Sequence, residues 1–176
     1  FLAVKPSTSV TYAVIASPSG SYFGGSGVTP VDIWFSTEFS RAAPGGTGFA
    51  KCGGNYAASM LAQAEAEANG CSQVGFVDAV EHRYVEELGG MNLFAVTAAG
   101  ELVTPKLTDT ILEGVTRSAI LRLAGDAGLA VVERRITLDE LLAGIDDGAV
   151  TEVFACGTAA VITPVASLKN ADGQHV

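Results

Sequence analysis

At 176 residues the chain suits one well-buried domain and is short for two. Hydrophobic residues make up 48% of it and charged residues only 16%, a balance that excludes wholesale disorder. The formal net charge is −9 and the ten basic residues are scattered, so no basic stripe exists for nucleic acid or an anionic membrane surface.

No apolar run reaches the length of a membrane-spanning helix. Phe1 to Pro6 lacks the basic start and apolar core of a signal peptide. Cys52, Cys71 and Cys156 are odd in number and lack CxxC spacing, which fits a reducing cytoplasm better than a disulfide framework. The chain opens on Phe1 and stops at Asn170 to Val176, a turn entering a further strand. A fragment of a longer polypeptide is the expectation.

In chain order, Val10 to Ala16 is β-branched and reads as a buried strand. Ser17 to Ser21 and Gly24 to Gly27 read as turns, and Val31 to Phe35 as a second strand. Arg41 to Gly54 is a glycine-rich loop. Asn55 to Asn69, rich in Ala, Leu, Met, Gln and Glu, reads as a helix with Asn55 as cap and Gly70 as stop. Strands follow at Gln73 to Val77 and Val85 to Leu88, then a hairpin of Met91 to Thr97 with Glu101 to Val103. Thr116 to Ala127 is a helix with Ile120, Leu121, Leu123 and Ala124 on or near one face. Ala130 to Ile136 is a strand, and Thr137-Leu138-Asp139-Glu140 opens a third helix with a capping-box pattern. Glu152 to Cys156 is a strand and Ala160 to Val165 a further apolar segment. Interspersed strands and helices predict an α/β (α+β-like) domain with a mixed sheet.

Lys51 stands out within Gly45-Gly46-Thr47-Gly48-Phe49-Ala50-Lys51-Cys52-Gly53-Gly54-Asn55-Tyr56. An ammonium among apolar residues and five glycines is expected to be desolvated, hence a better amine nucleophile, as a Schiff base with a carbonyl cofactor requires. The alternative is a lysine on a surface loop. The two histidines, His82 and His175, are too few for a histidine metal site, and His82 between Glu81 and Arg83 reads as a solvated residue. No GxSxG, Walker loop or GxGxxG is present. Cys52 has no histidine partner to make it a nucleophile.

Glu86-Glu87-Leu88-Gly89-Gly90 places carboxylates at a strand end against a glycine turn, either aimed into a cleft or lying on a solvated edge. Gly114-Val115-Thr116-Arg117 enters a helix and could be an anion site or an ordinary helix start; Gly157-Thr158-Ala159-Ala160 is a second small, hydroxyl-bearing turn. Phosphate would suit the two turns together.

Lys51-Cys52-Gly53-Gly54-Asn55-Tyr56, Glu86-Glu87-Leu88-Gly89-Gly90-Met91-Asn92-Leu93-Phe94, Gly114-Val115-Thr116-Arg117 and Gly157-Thr158-Ala159 occur in an order that resembles branched-chain-amino-acid aminotransferases. These are pyridoxal-phosphate enzymes of fold type IV. The likeness runs from about Arg41 to Pro164, is helped by Arg41-Ala42-Ala43-Pro44 and Asn69-Gly70-Cys71, and is closest to the subgroup with eukaryotic and actinobacterial members. It implies a barrel-like large domain with flanking helices over residues 1–176, incomplete at its C-terminus and lacking a smaller N-terminal domain.

By the same resemblance, Lys51 is the Schiff-base lysine and proton carrier, Tyr56 bonds the cofactor's ring oxygen, and Glu87 rather than Glu86 partners the pyridine nitrogen. Val115, Thr116 and Thr158 contact the phosphate; Gly90 and Ala159 line the substrate side. Leucine, isoleucine or valine would donate to 2-oxoglutarate, giving glutamate, in a cytoplasmic homodimer. The redox CxxC of mammalian members falls here on Ala160 and Thr163, and a Thr common in the subgroup is Gly90. The rival readings are a D-amino-acid aminotransferase or aminodeoxychorismate lyase of the same fold type, and a non-catalytic α/β binding domain.

Overall fold

The computed structural model describes residues 2–20 and 27–176. Among the described residues nine strands and four helices follow one another: β1 (Val31–Ser36), α1 (Gly53–Ala58), α2 (Met60–Ala68), β2 (Gln73–Val77), β3 (Val85–Leu88), β4 (Asn92–Thr97), β5 (Glu101–Pro105), α3 (Val115–Asp126), β6 (Ala130–Arg134), α4 (Leu138–Asp146), β7 (Val150–Gly157), β8 (Val161–Asn170) and β9 (Gly173–His175).

Six strands close on themselves in the order β3-β2-β1-β8-β7-β4, with β4 returning to β3. The pairs β1–β2 and β1–β8 are parallel; the other ring pairs are antiparallel. The sheet is therefore mixed and barrel-like, as expected. From β4 it continues outward through β5 to β6, while β9 adds to β8. Closure removes the free edges that an open sheet would leave on the ring strands.

The main core joins Ile33, Phe35, Leu88, Leu93, Ala155 and Leu168 from five ring strands, and α4 covers it with Leu138, Leu141 and Leu142. Thr137 caps α4 by accepting from the Glu140 N–H at 3.1 Å, as the capping pattern foretold. The crossover between parallel β1 and β2 carries α2, whose Ala62 and Ala66 are fully buried beside Val74 and Phe76. Alanine there lets the helix sit close against the sheet. A third cluster packs α3 through Ala124, Ile120 and Leu121 onto Phe94 and Cys156, with Phe94 and Phe154 stacked 5.1 Å apart. Leu123, placed on or near that face from sequence, is instead exposed.

Two other expectations fail. The single helix from Asn55 is broken at Ser59 into α1 and α2, and Asn55 lies inside α1 rather than capping it. Val10 to Ala16 is no strand: Val10, Tyr12, Val14 and Ile15 are all exposed and the segment has no ladder. A strand holds only when a neighbour takes its backbone bonds, and among the described residues none does. The turn expected at Gly24 to Gly27 falls largely outside the described residues, as does Ser21.

Candidate active site

The Lys51 loop is irregular but firmly tied. Asn55 is buried and donates to the carbonyls of Thr47 at 2.7 Å and Ala50 at 2.8 Å, while its own Oδ1 accepts from the Thr47 hydroxyl. Gly45 N donates to Asp109 Oδ2 at 2.6 Å and Phe49 N to the Asp109 carbonyl at 3.0 Å. Gly48 can only be glycine, since a Cβ would stand 2.5 Å from the Thr110 backbone. These bonds present Lys51 at the start of α1. Its Nζ lies 3.1 Å from the Tyr56 hydroxyl and 5.0 Å from the centre of that ring.

Lys51 is exposed, so the desolvated ammonium expected from the sequence is not found. Five glycines offer no side chains to cover it. It faces instead an open cleft of about 760 Å³ lined by Tyr56, Met60, Gln63, Gly90, Met91 and the Gly157–Ala160 turn.

A narrower cavity of about 210 Å³ shares Lys51, Gly90, Met91, Gly157 and Thr158 with that cleft, and adds Glu87, Asn92, Leu112 to Thr116 and Cys156. Lys51, Glu87, Val115, Thr116, Thr158 and Gly90, distant in sequence, thus line one space. Tyr56 and Ala159 line the adjoining cleft. Cys52 lines neither, its Sγ resting 3.3 Å from Thr47 Oγ1; that hydrogen bond first, then backbone N–H groups at the start of α1, lower its thiol. His82 is exposed. Burial pushes the Cys156 thiol up to about 11 and keeps it neutral.

Glu87 is held by three contacts. It accepts from Leu112 N at 2.8 Å and Asn92 Nδ2 at 3.2 Å, and meets Arg41 Nη2 at 2.6 Å. Lys51 acts on it at longer range. Burial pushes its carboxyl up to about 7 while Arg41 and the Leu112 N–H pull the other way. Glu86 points to the opposite side, bonded to the Thr110 hydroxyl and lining a separate cavity of about 360 Å³ with Asp78, Tyr84 and Asp109.

The α3 start is formed by Gly114, and no side chain caps it. A Cβ on Gly114 would meet Asn92 Oδ1 at 2.3 Å, so glycine lets the helix end press against β4. Arg117, quoted with this turn in the sequence, is structural: buried, it pairs with Glu133 at 2.6 Å and donates to the Pro105 carbonyl at 3.0 Å. Arg41 and Asn92 are what residue-by-residue reading missed. The signal available was an arginine flanked by Phe39-Ser40 and Ala42-Ala43-Pro44, just before the glycine-rich loop.

A family model described as amino-transferase class IV matches residues 7–168. The chain belongs to the class IV aminotransferases. It is 58% identical over 183 residues to the branched-chain-amino-acid aminotransferase of Mycobacterium tuberculosis (strain ATCC 25618 / H37Rv), covering 98% of this chain and 50% of that protein. Its fold is similar to the crystal structure of the Escherichia coli branched-chain amino acid aminotransferase, with a TM-score of 0.75 and 38% identity over 86% of this chain and 47% of that one. The branched-chain amino acid aminotransferase of Thermobaculum terrenum in its PLP form is similar too, with a TM-score of 0.71 and 33% identity over 80% of this chain and 43% of that one. The chain spans about half the length of the curated relatives it matches. This class IV aminotransferase chain is thus mixed α/β and barrel-like, as its structural neighbours are. Among the described residues no helix is long and apolar enough to cross a membrane.

Proposed function

We propose that this chain is the cofactor-binding domain of a transaminase that uses pyridoxal 5′-phosphate to move the amino group of L-leucine, L-isoleucine or L-valine to 2-oxoglutarate. The observation that carries the reading is the cavity that gathers Lys51, Glu87, Val115, Thr116 and Thr158. Its donor set fits the cofactor: an amine at the mouth, a buried carboxylate, and an uncapped helix start beside a threonine turn. The names of the relatives, and the PLP form of the Thermobaculum terrenum neighbour, support the same choice.

When bound, the cofactor supplies an aldehyde for amine exchange and a protonated ring that draws electrons from the substrate Cα. Lys51 would hold the aldehyde carbon and afterwards carry a proton at the substrate Cα. Tyr56, 3.1 Å from the Lys51 amine, would orient it and donate to the ring oxygen. Glu87, fixed by Arg41, Asn92 and Leu112 N, would keep the proton on the pyridine nitrogen. The N–H groups of Val115 and Thr116, with Thr158, would hold the phosphate. Gly90 and Ala159, on the open cleft, would face the substrate.

The same proposal makes the chain the large domain of a cytoplasmic homodimer whose smaller N-terminal domain and last C-terminal segment lie outside these 176 residues. It is tested with the protein expressed from its complete reading frame. L-leucine with 2-oxoglutarate should yield glutamate and the branched-chain oxo acid. Preferential use of D-alanine, or lyase activity on aminodeoxychorismate, would move the chain to another enzyme of the family. No change in the pyridoxal phosphate spectrum on mixing would favour a non-catalytic binding domain.

A further inference from the structure

Arg41 is a buried cation beside the cavity, and it sits where three segments meet. Its Nη2 donates to the Gly48 carbonyl of the Lys51 loop at 2.8 Å, to the Thr110 carbonyl before α3, and lies 2.6 Å from Glu87 Oε1 on β3. Side-chain exposure is 2% for Arg41 and 4% for Glu87. Two carboxylates, Glu86 and Glu87, compete for this single guanidinium. Glu86 Oε1 is already engaged by Thr110, and its Oε2 has no hydrogen-bond partner among the described residues. Only Glu87 touches the arginine. A buried carboxylate without a counter-charge strongly favours its neutral form, whereas an opposite charge in contact favours the ion.

Resting on the reading of Glu87 as the pyridine partner, we propose that Arg41 is its positioning residue. Arg41 balances the Glu87 charge and locks the carboxylate toward the cavity, while the same guanidinium fixes the Lys51 loop and the approach to α3. Amine, carboxylate and helix start are thereby set by one side chain. The remaining groups that face Glu87 are the Asn92 amide, the Leu112 N–H, Glu86 and, at longer range, Lys51; Asp78 and Asp109 act on Glu86 from its other side.

The experiment uses the protein expressed from its complete reading frame, without cofactor, labelled with ¹³C at glutamate carboxyls. Glu87 is assigned by Glu87→Gln, and its titration is compared in wild type and Arg41→Met. The variant should titrate at least about one pH unit higher, the effect of removing an opposite charge in contact. With cofactor added, the activity lost in Arg41→Met should be recovered in part as pH rises through the new midpoint, with Arg41→Lys nearer to wild type. A midpoint unchanged within a few tenths of a unit, or a loss equal at every pH, overturns the proposal. If Arg41→Met does not fold, the Arg41 Nη resonances of the wild type decide. They should move with the Glu87 carbon at a single midpoint, and independent movement overturns the inference. The titration needs no cofactor, so it stands apart from borohydride labelling of Lys51 in the pyridoxal phosphate-loaded protein, whose failure would sink the functional reading and leave this ion pair intact.

Discussion

Glu86 and Glu87 are neighbours on β3 and both are buried, yet they serve opposite faces of the strand: Glu87 lines the cavity with Lys51, and Glu86 lines the one with Asp78 and Tyr84. The two-residue period of a strand makes this separation unavoidable. Conversion of each to glutamine should therefore split cleanly. Glu87→Gln should lower turnover by about 10²–10³-fold, the usual effect of removing a preorganised charge from a reacting site. Glu86→Gln keeps an acceptor for Thr110 and should leave turnover within about threefold, as an amide there replaces no charge at the cavity. Steady-state kinetics on both variants checks the pair, and equal losses would contradict the assignment.

Tyr56 and Lys51 meet across one turn of chain at 3.1 Å. Tyr56→Phe keeps the ring beside the amine and removes one hydrogen bond, worth about 0.5–1.5 kcal/mol. Turnover should fall roughly two- to tenfold with little change in stability. Lys51→Ala should instead cost about 10²–10⁴-fold through the lost proton transfer alone. Both are read from initial rates.

The cavity's edges were legible where chemistry sits next to glycine. Lys51 and the two small turns are marked by what surrounds them in sequence, whereas Glu87 is separated from Glu86 only by the family resemblance; β2 and β3 fall where their residue patterns put them. Arg41 was not legible as a site residue, because its partners lie at Gly48, Glu87 and Thr110, and no local pattern encodes that meeting. The parallel pairing of β1 with β8 and the antiparallel pairing of β4 with β7, which complete the ring, are likewise long-range. Val10 to Ala16 shows the opposite error. Its β-branched run is a true local preference, but preference without a partner strand makes no ladder.

Asp78 gives a pH signature independent of the cavity. Burial raises its carboxyl, but four backbone N–H groups, from Val80, Glu81, Arg83 and Tyr84 at 2.8 to 3.3 Å, outweigh that and bring it from 3.8 to about 2. Because the folded value lies below the unfolded one, the stabilisation is fully present above the unfolded value. It is lost as pH falls from there through about 2. Asp78→Asn should be less stable by about 1–3 kcal/mol at neutral pH, and the gap to wild type should close on acidification. Denaturant melts at a series of pH values measure both.

Val161 closes the β7–β8 turn with φ of 55°, a left-handed conformation that a β-branched residue adopts only under strain. The strain is about 1–2 kcal/mol, and its side chain, 62% exposed, has little packing to offset it. Val161→Asn should raise stability by about 0.5–1 kcal/mol, while Val161→Thr, still β-branched, should match the wild type. Thermal melts of the two variants decide it.

Borohydride reduction of the complete protein loaded with pyridoxal phosphate, followed by peptide mapping, tests the central claim most directly. One stoichiometric label on the peptide carrying Lys51, absent from Lys51→Ala, is the predicted result. A label on Lys5, Lys106, Lys169 or any lysine beyond these residues, with Lys51 unmodified, would contradict the account.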